Sequence, residues 1–342
     1  MTARDGWDVV VIGAGPCGLA AGISLTRAGF RTVIVDAGCV VQAITQYPTH
    51  ATFFSTAEKL SLGGLPFVIS ESKPTRRDAL TYYRAVVSYF DLDVRQYERV
   101  TAIEGAAPRF TITTERRGAR KALDARAVVV ATGYWGSPNL LNVPGEDLPH
   151  VSHAYHEGHH AFQQKVVVIG GGNSAAEAAL DLWRSGAHVT LSHFGPTFDK
   201  RIKPWVLPDL TNRIAEGSIG ASWNARVASI DHEGVRVRRD DGSEALLPAD
   251  HVYLLTGYSP NVDLLRAVGV PIDAATGIPS HDAATLETTV PGVFIAGVVI
   301  AGYDANRVFI ENGRYHGDRI VARLQGASAP ETPGVSRDLD GG

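Results

Sequence analysis

Short β-branched runs punctuate this chain at residues 8–12, 31–35, 127–130, 166–169, 251–255 and 293–296. Apolar runs this short, bounded by glycine or small residues, predict strands buried on both faces, which is how parallel strands sit between helices. The runs ending at Ile12 and Ile169 each pass through a cluster of glycines into an alanine-rich stretch, so each predicts strand, tight turn and helix in succession. A last helix is predicted from about Ala305 to Leu324. The pattern defines an α/β fold with two Rossmann-like dinucleotide-binding domains, one inserted in the other.

The glycine clusters are Gly13-Ala14-Gly15-Pro16-Cys17-Gly18 and Gly170-Gly171-Gly172-Asn173-Ser174-Ala175. Glycines in this setting let the backbone turn and approach a pyrophosphate, whose charge the helix amino terminus holds. Gly13, Gly15, Pro16 and Gly18 are therefore candidates for one dinucleotide, and Gly170, Gly172, Asn173 and Ser174 for a second. Asp36 closes the strand at 31–35, close to the spacing at which an acid accepts from an adenosine ribose, which favours FAD or NAD. Ala131-Thr132-Gly133 looks like the small-residue turn of two-dinucleotide flavoproteins, which points to FAD at the first site and adds Thr132 and Gly133 to its candidates. Aligning Gly170 on Gly13 places His193 over Asp36. With the acid missing and Lys200, Arg201 and Lys203 following, the second site favours NADPH over NADH, the alternative being a solvated cationic loop.

The FAD-binding domain is expected at residues 1–149 and 258–325, the NADPH-binding domain at 150–257, and a flexible tail at 326–342. Between the first glycine cluster and Ala131, residues 37–90 form a long excursion whose loops include Thr45-Gln46-Tyr47-Pro48; Gln46 and Tyr47 are candidates to cover the flavin ring. A formal charge of −4 gives no electrostatic pull towards nucleic acid or an anionic membrane, and no apolar run is long enough to predict a membrane span. The start shows no secretory leader, and two cysteines without a C-x-x-C suit a reducing cytoplasm. His150, His153, His156, His159 and His160 lack acidic or thiolate partners at ligand spacing, so no metal site is expected.

Four strings narrow the family: Gly15-Pro16-Cys17-Gly18, Phe53-Phe54-Ser55-Thr56, Ile202-Lys203-Pro204-Trp205-Val206-Leu207-Pro208 and Phe309-Ile310-Glu311-Asn312-Gly313-Arg314. With them the chain resembles the bacillithiol disulfide reductase family among thioredoxin-reductase-like flavoproteins. The resemblance implies bound FAD, NADPH as reductant, and a small-molecule disulfide, oxidised bacillithiol, as substrate. It also places Gly297, and the backbone near Ala305 and Asn306 behind a cap at Asp304, at the flavin. The wider group carries an aspartate where this chain has Val298, which leaves the ribityl contact open.

Cys17 stands at the start of the first helix, where the dipole favours thiolate, so it is the candidate to open the sulfur–sulfur bond; the alternative is a small packing residue. Cys39 is read as structural. A homo-oligomer, dimer or tetramer, is expected. The rival functions are a ferredoxin or flavodoxin NADP reductase-like electron-transfer protein and a non-catalytic redox-sensing flavoprotein.

Overall fold

A computed structural model describes residues 6–199, 202–304, 307–328 and 330. The chain divides into two compact units, the first from residues up to Thr45, Ala51–Ser137 and Ser259 onward, the second from Gln46–His50 and Pro138–Tyr258.

In the first unit β1 (Trp7–Ile12) leads into α1 (Pro16–Arg27) and returns as β2 (Thr32–Val35). Residues 9–12 of β1 are at most 4% exposed, as a strand covered on both faces demands. The excursion after β2 holds two single-turn helices, α2 (Gln42–Thr45) and α3 (Ala57–Leu60), and then α4 (Arg76–Tyr89). Thr75 and Asp78 cap α4 reciprocally, which fixes where that helix starts. Strands β3 (Val94–Arg95), β4 (Arg99–Ala106), β5 (Arg109–Arg116) and β6 (Ala119–Val130) follow. The sheet order is β3-β2-β1-β6-β5-β4. Strand β6 does two jobs. Residues 119–125 run antiparallel to β5, and residues 127–130 run parallel to β1.

The second unit opens with β7 (Val151–Ser152) and the short turn η1 (His159–Ala161), then repeats strand, turn and helix in β8 (Lys165–Ile169), α5 (Asn173–Arg184) and β9 (His188–Ser192). Helix α6 (Leu207–Ala215) leads to β10 (Gly220–Ser222), and β14 (His251–Leu254) completes the parallel order β10-β9-β8-β14-β7. A separate antiparallel sheet is formed by β11 (Ala225–Asp231), β12 (Gly234–Arg239) and β13 (Glu244–Pro248). The chain then re-enters the first unit through α7 (Asp263–Ala267) and β15 (Val293–Ile295), which pairs parallel with β6 at residues 128–130. The turn η2 (Gly297–Ala301), α8 (Ile310–Gly313) and α9 (His316–Leu324) finish it.

Three sequence expectations change. The second unit starts at Pro138, not near His150, because Leu141 and Asn142 donate their backbone N–H to Glu146 and Ile230 N donates to the Pro144 carbonyl. The last helix is not continuous from 305. Asn312 Oδ1 accepts from Phe309 N and its amide donates to the Arg307 carbonyl, which starts α8 at Ile310; α9 begins anew at His316. The excursion at 37–90 is partly helical rather than loops alone. Most of the expected tail, with Ala305, Asn306, Lys200 and Arg201, lies outside the described residues.

Candidate functional site

Both glycine turns lie where the strand order reverses, the position at which open α/β sheets bind ligands. In the first, β1 continues to β2 on one side and β6 lies on the other; in the second, β9 and β14 flank β8 in the same way. The turns have the same steric logic. A methyl group on Gly13 (φ +114°) would lie 2.3 Å from the Ala131 carbonyl oxygen, and one on Gly170 (φ +149°) 2.5 Å from that of Leu255. Gly15 and Gly172, the N-caps of α1 and α5, face open space instead, which leaves room for a phosphate against the backbone. Among the helices of nine or more residues, α4, α6 and α9 carry an acid in the first turn, whereas α1 and α5 carry none. An unopposed helix amino terminus is what an anionic ligand needs.

At the first cradle Asp36 Oδ2 accepts from Ala14 N at 2.6 Å and Oδ1 accepts from Gly38 N at 2.7 Å. Burial raises the Asp36 pKa, and these two N–H groups act against the rise. Asp36 thus fastens the glycine turn to the end of β2. Its oxygens keep further lone pairs for a ribose hydroxyl. Thr132 is exposed, and a methyl on Gly133 (φ +69°) would meet nothing within 4 Å, so the turn after β6 is open as a nucleotide site requires. Gln46 and Tyr47 belong to the second unit, whereas the other described residues read as flavin ligands belong to the first.

Cys17 is the second residue of α1, between Pro16 and Gly18. A methyl on Gly313 would lie 2.5 Å from Cys17 Sγ and one on Gly297 3.3 Å from it, so two glycines from the far end of the chain make room for the sulfur. Burial first, then the nearby Glu311 carboxylate, pushes the Cys17 thiol up to about 12. This reverses the expectation of a thiolate: the helix end is outweighed by desolvation and a like charge, and the resting group is the thiol. Ser55 donates to Glu311, and Arg314 donates to the Glu58 and Ser61 carbonyls, so two of the family strings meet beside Cys17. His316, 4% exposed, accepts from Gly297 N at 3.0 Å and is held neutral, its pKa lowered by burial to about 4. Cys39 donates its thiol to Gln42 at 3.0 Å.

At the second cradle the ring of His193 covers Gly171, within 2.6 Å of where a methyl would stand. Burial lowers the His193 pKa, so the imidazole is neutral at pH 7. Asn173 Oδ1 accepts from Lys203 N, while Ser174 is exposed at the start of α5. Lys203, expected to meet a ribose phosphate, is instead ion-paired to Glu177 of α5 at 2.5 Å, because its loop folds back over that helix. The histidines at 150–160 are engaged singly: His150 with the Asp231 carbonyl, His153 with Glu146, His160 with Tyr253.

Sequence reasoning missed Glu311, Ser55, Glu177 and His316 as site-shaping groups. The strings containing Ser55 and Glu311 were visible, but nothing local shows that they converge.

The geometry is that of a two-dinucleotide oxidoreductase, and comparison with known proteins agrees. The family model for pyridine nucleotide-disulphide oxidoreductases matches residues 10–297. Bacilliredoxin reductase Bdr of Bacillus subtilis (strain 168) is 42% identical over 316 residues, 92% of this chain and 96% of its own. The structure of bacillithiol disulfide reductase Bdr from Bacillus cereus superposes with a TM-score of 0.92 at 42% identity, covering 94% of this chain and 99% of that one. The thioredoxin reductase of T. acidophilum shares the fold, with a TM-score of 0.74 at 23% identity over 94% of this chain and 99% of its own. The chain belongs to the pyridine nucleotide-disulphide oxidoreductase family. Among the described residues, no helix is long and apolar enough to cross a membrane.

Proposed function

We propose that this protein is an FAD- and NADPH-dependent reductase of a low-molecular-weight thiol disulfide, bacillithiol disulfide, acting through Cys17. Gly13, Gly15, Pro16, Gly18, Asp36, Thr132, Gly133 and Gly297 would hold FAD, and Gly170, Gly172, Asn173, Ser174, His193 and, on the sequence alone, Lys200 and Arg201 would hold NADPH. Both cradles fit a pyrophosphate, because each pairs an open N-cap glycine with a helix start free of acid. Gln46 and Tyr47 remain assigned to FAD from the loop excursion in which they lie, and Ala305 and Asn306 on the family resemblance. Held in these two cradles, the nucleotides would supply hydride-transfer chemistry and, through the flavin, the two electrons needed to reopen a disulfide on Cys17.

The observation that carries the reading is the position of Cys17, inside the first cradle with its sulfur seated against Gly297 and Gly313. Attack by Cys17 on one substrate sulfur forms a mixed disulfide and releases the other sulfur as a thiolate, which takes up a proton. With the resting thiol raised to about 12, the Cys17 proton leaves as attack proceeds and no free thiolate accumulates beforehand. Storing the sulfur as a thiol protects it from adventitious oxidation.

The test is an anaerobic titration with NADPH followed by oxidised bacillithiol. Wild type should lose its flavin absorbance and then recover it; Cys17→Ala should lose it equally and not recover. Recovery of Cys17→Ala at the wild-type rate would exclude the thiol step. A protein disulfide is the second reading, because the B. subtilis relative is named for bacilliredoxin. Faster reoxidation by a bacilliredoxin–bacillithiol mixed disulfide than by the free disulfide would favour it, and reoxidation by ferredoxin alone would support electron transfer instead. A cytoplasmic homo-oligomer, dimer or tetramer, completes the proposal, and light scattering checks its size.

A further inference from the structure

Of the cations read from sequence for the ribose phosphate that distinguishes NADPH from NADH, Lys200 and Arg201 lie outside the described residues, and the described ones offer no free charge at the strand end. His193 is neutral and Lys203 is bound to Glu177. Another cation stands at the same strand end. Backbone bonds from Asn224 N to the Gly195 carbonyl and from Ala225 N to the His193 carbonyl lace the start of β11 to the loop after β9. Arg226 follows directly, with its guanidinium 5.3 Å from the centroid of the Phe194 ring. Phe194 itself is 58% exposed, and its ring carries the guanidinium at cation–π distance.

We infer that Arg226, stacked on Phe194, reads the 2′-phosphate of NADPH and sets the nucleotide preference of the second site. The inference rests on the NADPH reading above. Its geometry puts a planar, permanently charged group beside the residue that replaces Asp36. Arg226 is exposed, and among the described residues it takes part in no ion pair. Arg238, opposite it in strand register, is neutralised by Glu244 at 2.8 Å, so Arg226 is the member of that pair left for an anion. Stacking restrains the long side chain before the ligand arrives, and a guanidinium matches phosphate oxygens bidentately. Phe194 and Arg226 come from separate strand ends 32 residues apart, so no local motif announces them.

The experiment is calorimetric binding of 2′,5′-ADP and of 5′-AMP to wild type, Arg226→Ala, Arg226→Lys and Phe194→Ala, with thermal melts as a folding control. Wild type should prefer 2′,5′-ADP. Arg226→Ala should weaken 2′,5′-ADP by about 10- to 100-fold, the range of a lost charge-assisted contact, and leave 5′-AMP within about twofold. Arg226→Lys and Phe194→Ala should fall between. A change under about threefold in Arg226→Ala, or equal loss of both ligands, overturns the assignment. Wild type that binds both ligands alike refutes the NADPH reading itself, a result distinct from failure of the arginine alone.

Discussion

The two cradles are built alike and finished differently. In each, the first glycine lies against the carbonyl of the neighbouring strand's exit, the glycine two residues on caps the helix, and the turn's first N–H is held by the end of the adjoining strand, Gly13 by Val35 and Gly170 by Ser192. They diverge at the strand end. Asp36 draws the N–H groups of Ala14 and Gly38 onto one carboxylate, whereas His193 lays a neutral ring over Gly171. They diverge again inside the helix, where Gly18 is matched by Ala175. On the function proposed above, the common steric frame would fix the phosphate, and the side chain at the strand end, with its neighbours, would decide which nucleotide is kept.

The largest test of this comparison is Gly18→Ala, whose methyl would lie 1.9 Å from the Gly13 carbonyl oxygen. Bound flavin per chain should fall at least about 10-fold, since the turn must open, and Ala175→Gly in the second cradle should cost about 1 kcal/mol of stability or less, read by denaturant melts. Gly15→Ala separates sterics from ligand approach: its methyl meets nothing in the protein, so the melt should be unchanged while flavin is still lost.

Next in size is a pH effect confined to the first unit. His316 has a folded pKa near 4 against 6.5 when free, so between those values the unfolded chain binds the proton that the native chain refuses. Stability is complete above about pH 6.5 and declines as pH falls towards 4; at pH 5 the loss is about 2 kcal/mol. Urea melts of His316→Asn should show that much less loss between pH 7 and pH 5. A slope identical to wild type would remove His316 as its source.

His193→Asp converts the second strand end into the first. A carboxylate there repels a ribose phosphate, and the NADPH-to-NADH ratio of kcat/KM should drop about 10-fold. The smallest effect is expected for Lys203→Gln, under about threefold on NADP binding, because the ammonium is already committed to Glu177. A larger loss at Lys203 than at Arg226 would reverse that order of importance.

Strands β1, β8, β14 and β15 and both glycine turns were legible because each depends on neighbours in sequence: buried runs, then glycines that only a close backbone approach explains. The antiparallel additions were not read, although Phe110, Ile112 and Thr114 alternate inward along β5 as a half-buried strand should. Charge and proximity were least legible. The N-terminal position of Cys17 argued for a thiolate, but Gly297, Gly313 and Glu311 approach from the other end of the chain and decide the matter by burial. Lys203 looked available in sequence because Glu177, which neutralises it, lies on a different element.

The divided strand β6 bears on how the molecule is made. Its final residues wait for Val293–Ile295, which the ribosome delivers only after residues 138–258 have emerged. During synthesis the earlier sheet therefore keeps an open, sticky margin while the later one can already close, and a nascent chain stalled before residue 293 is the form most in need of a chaperone.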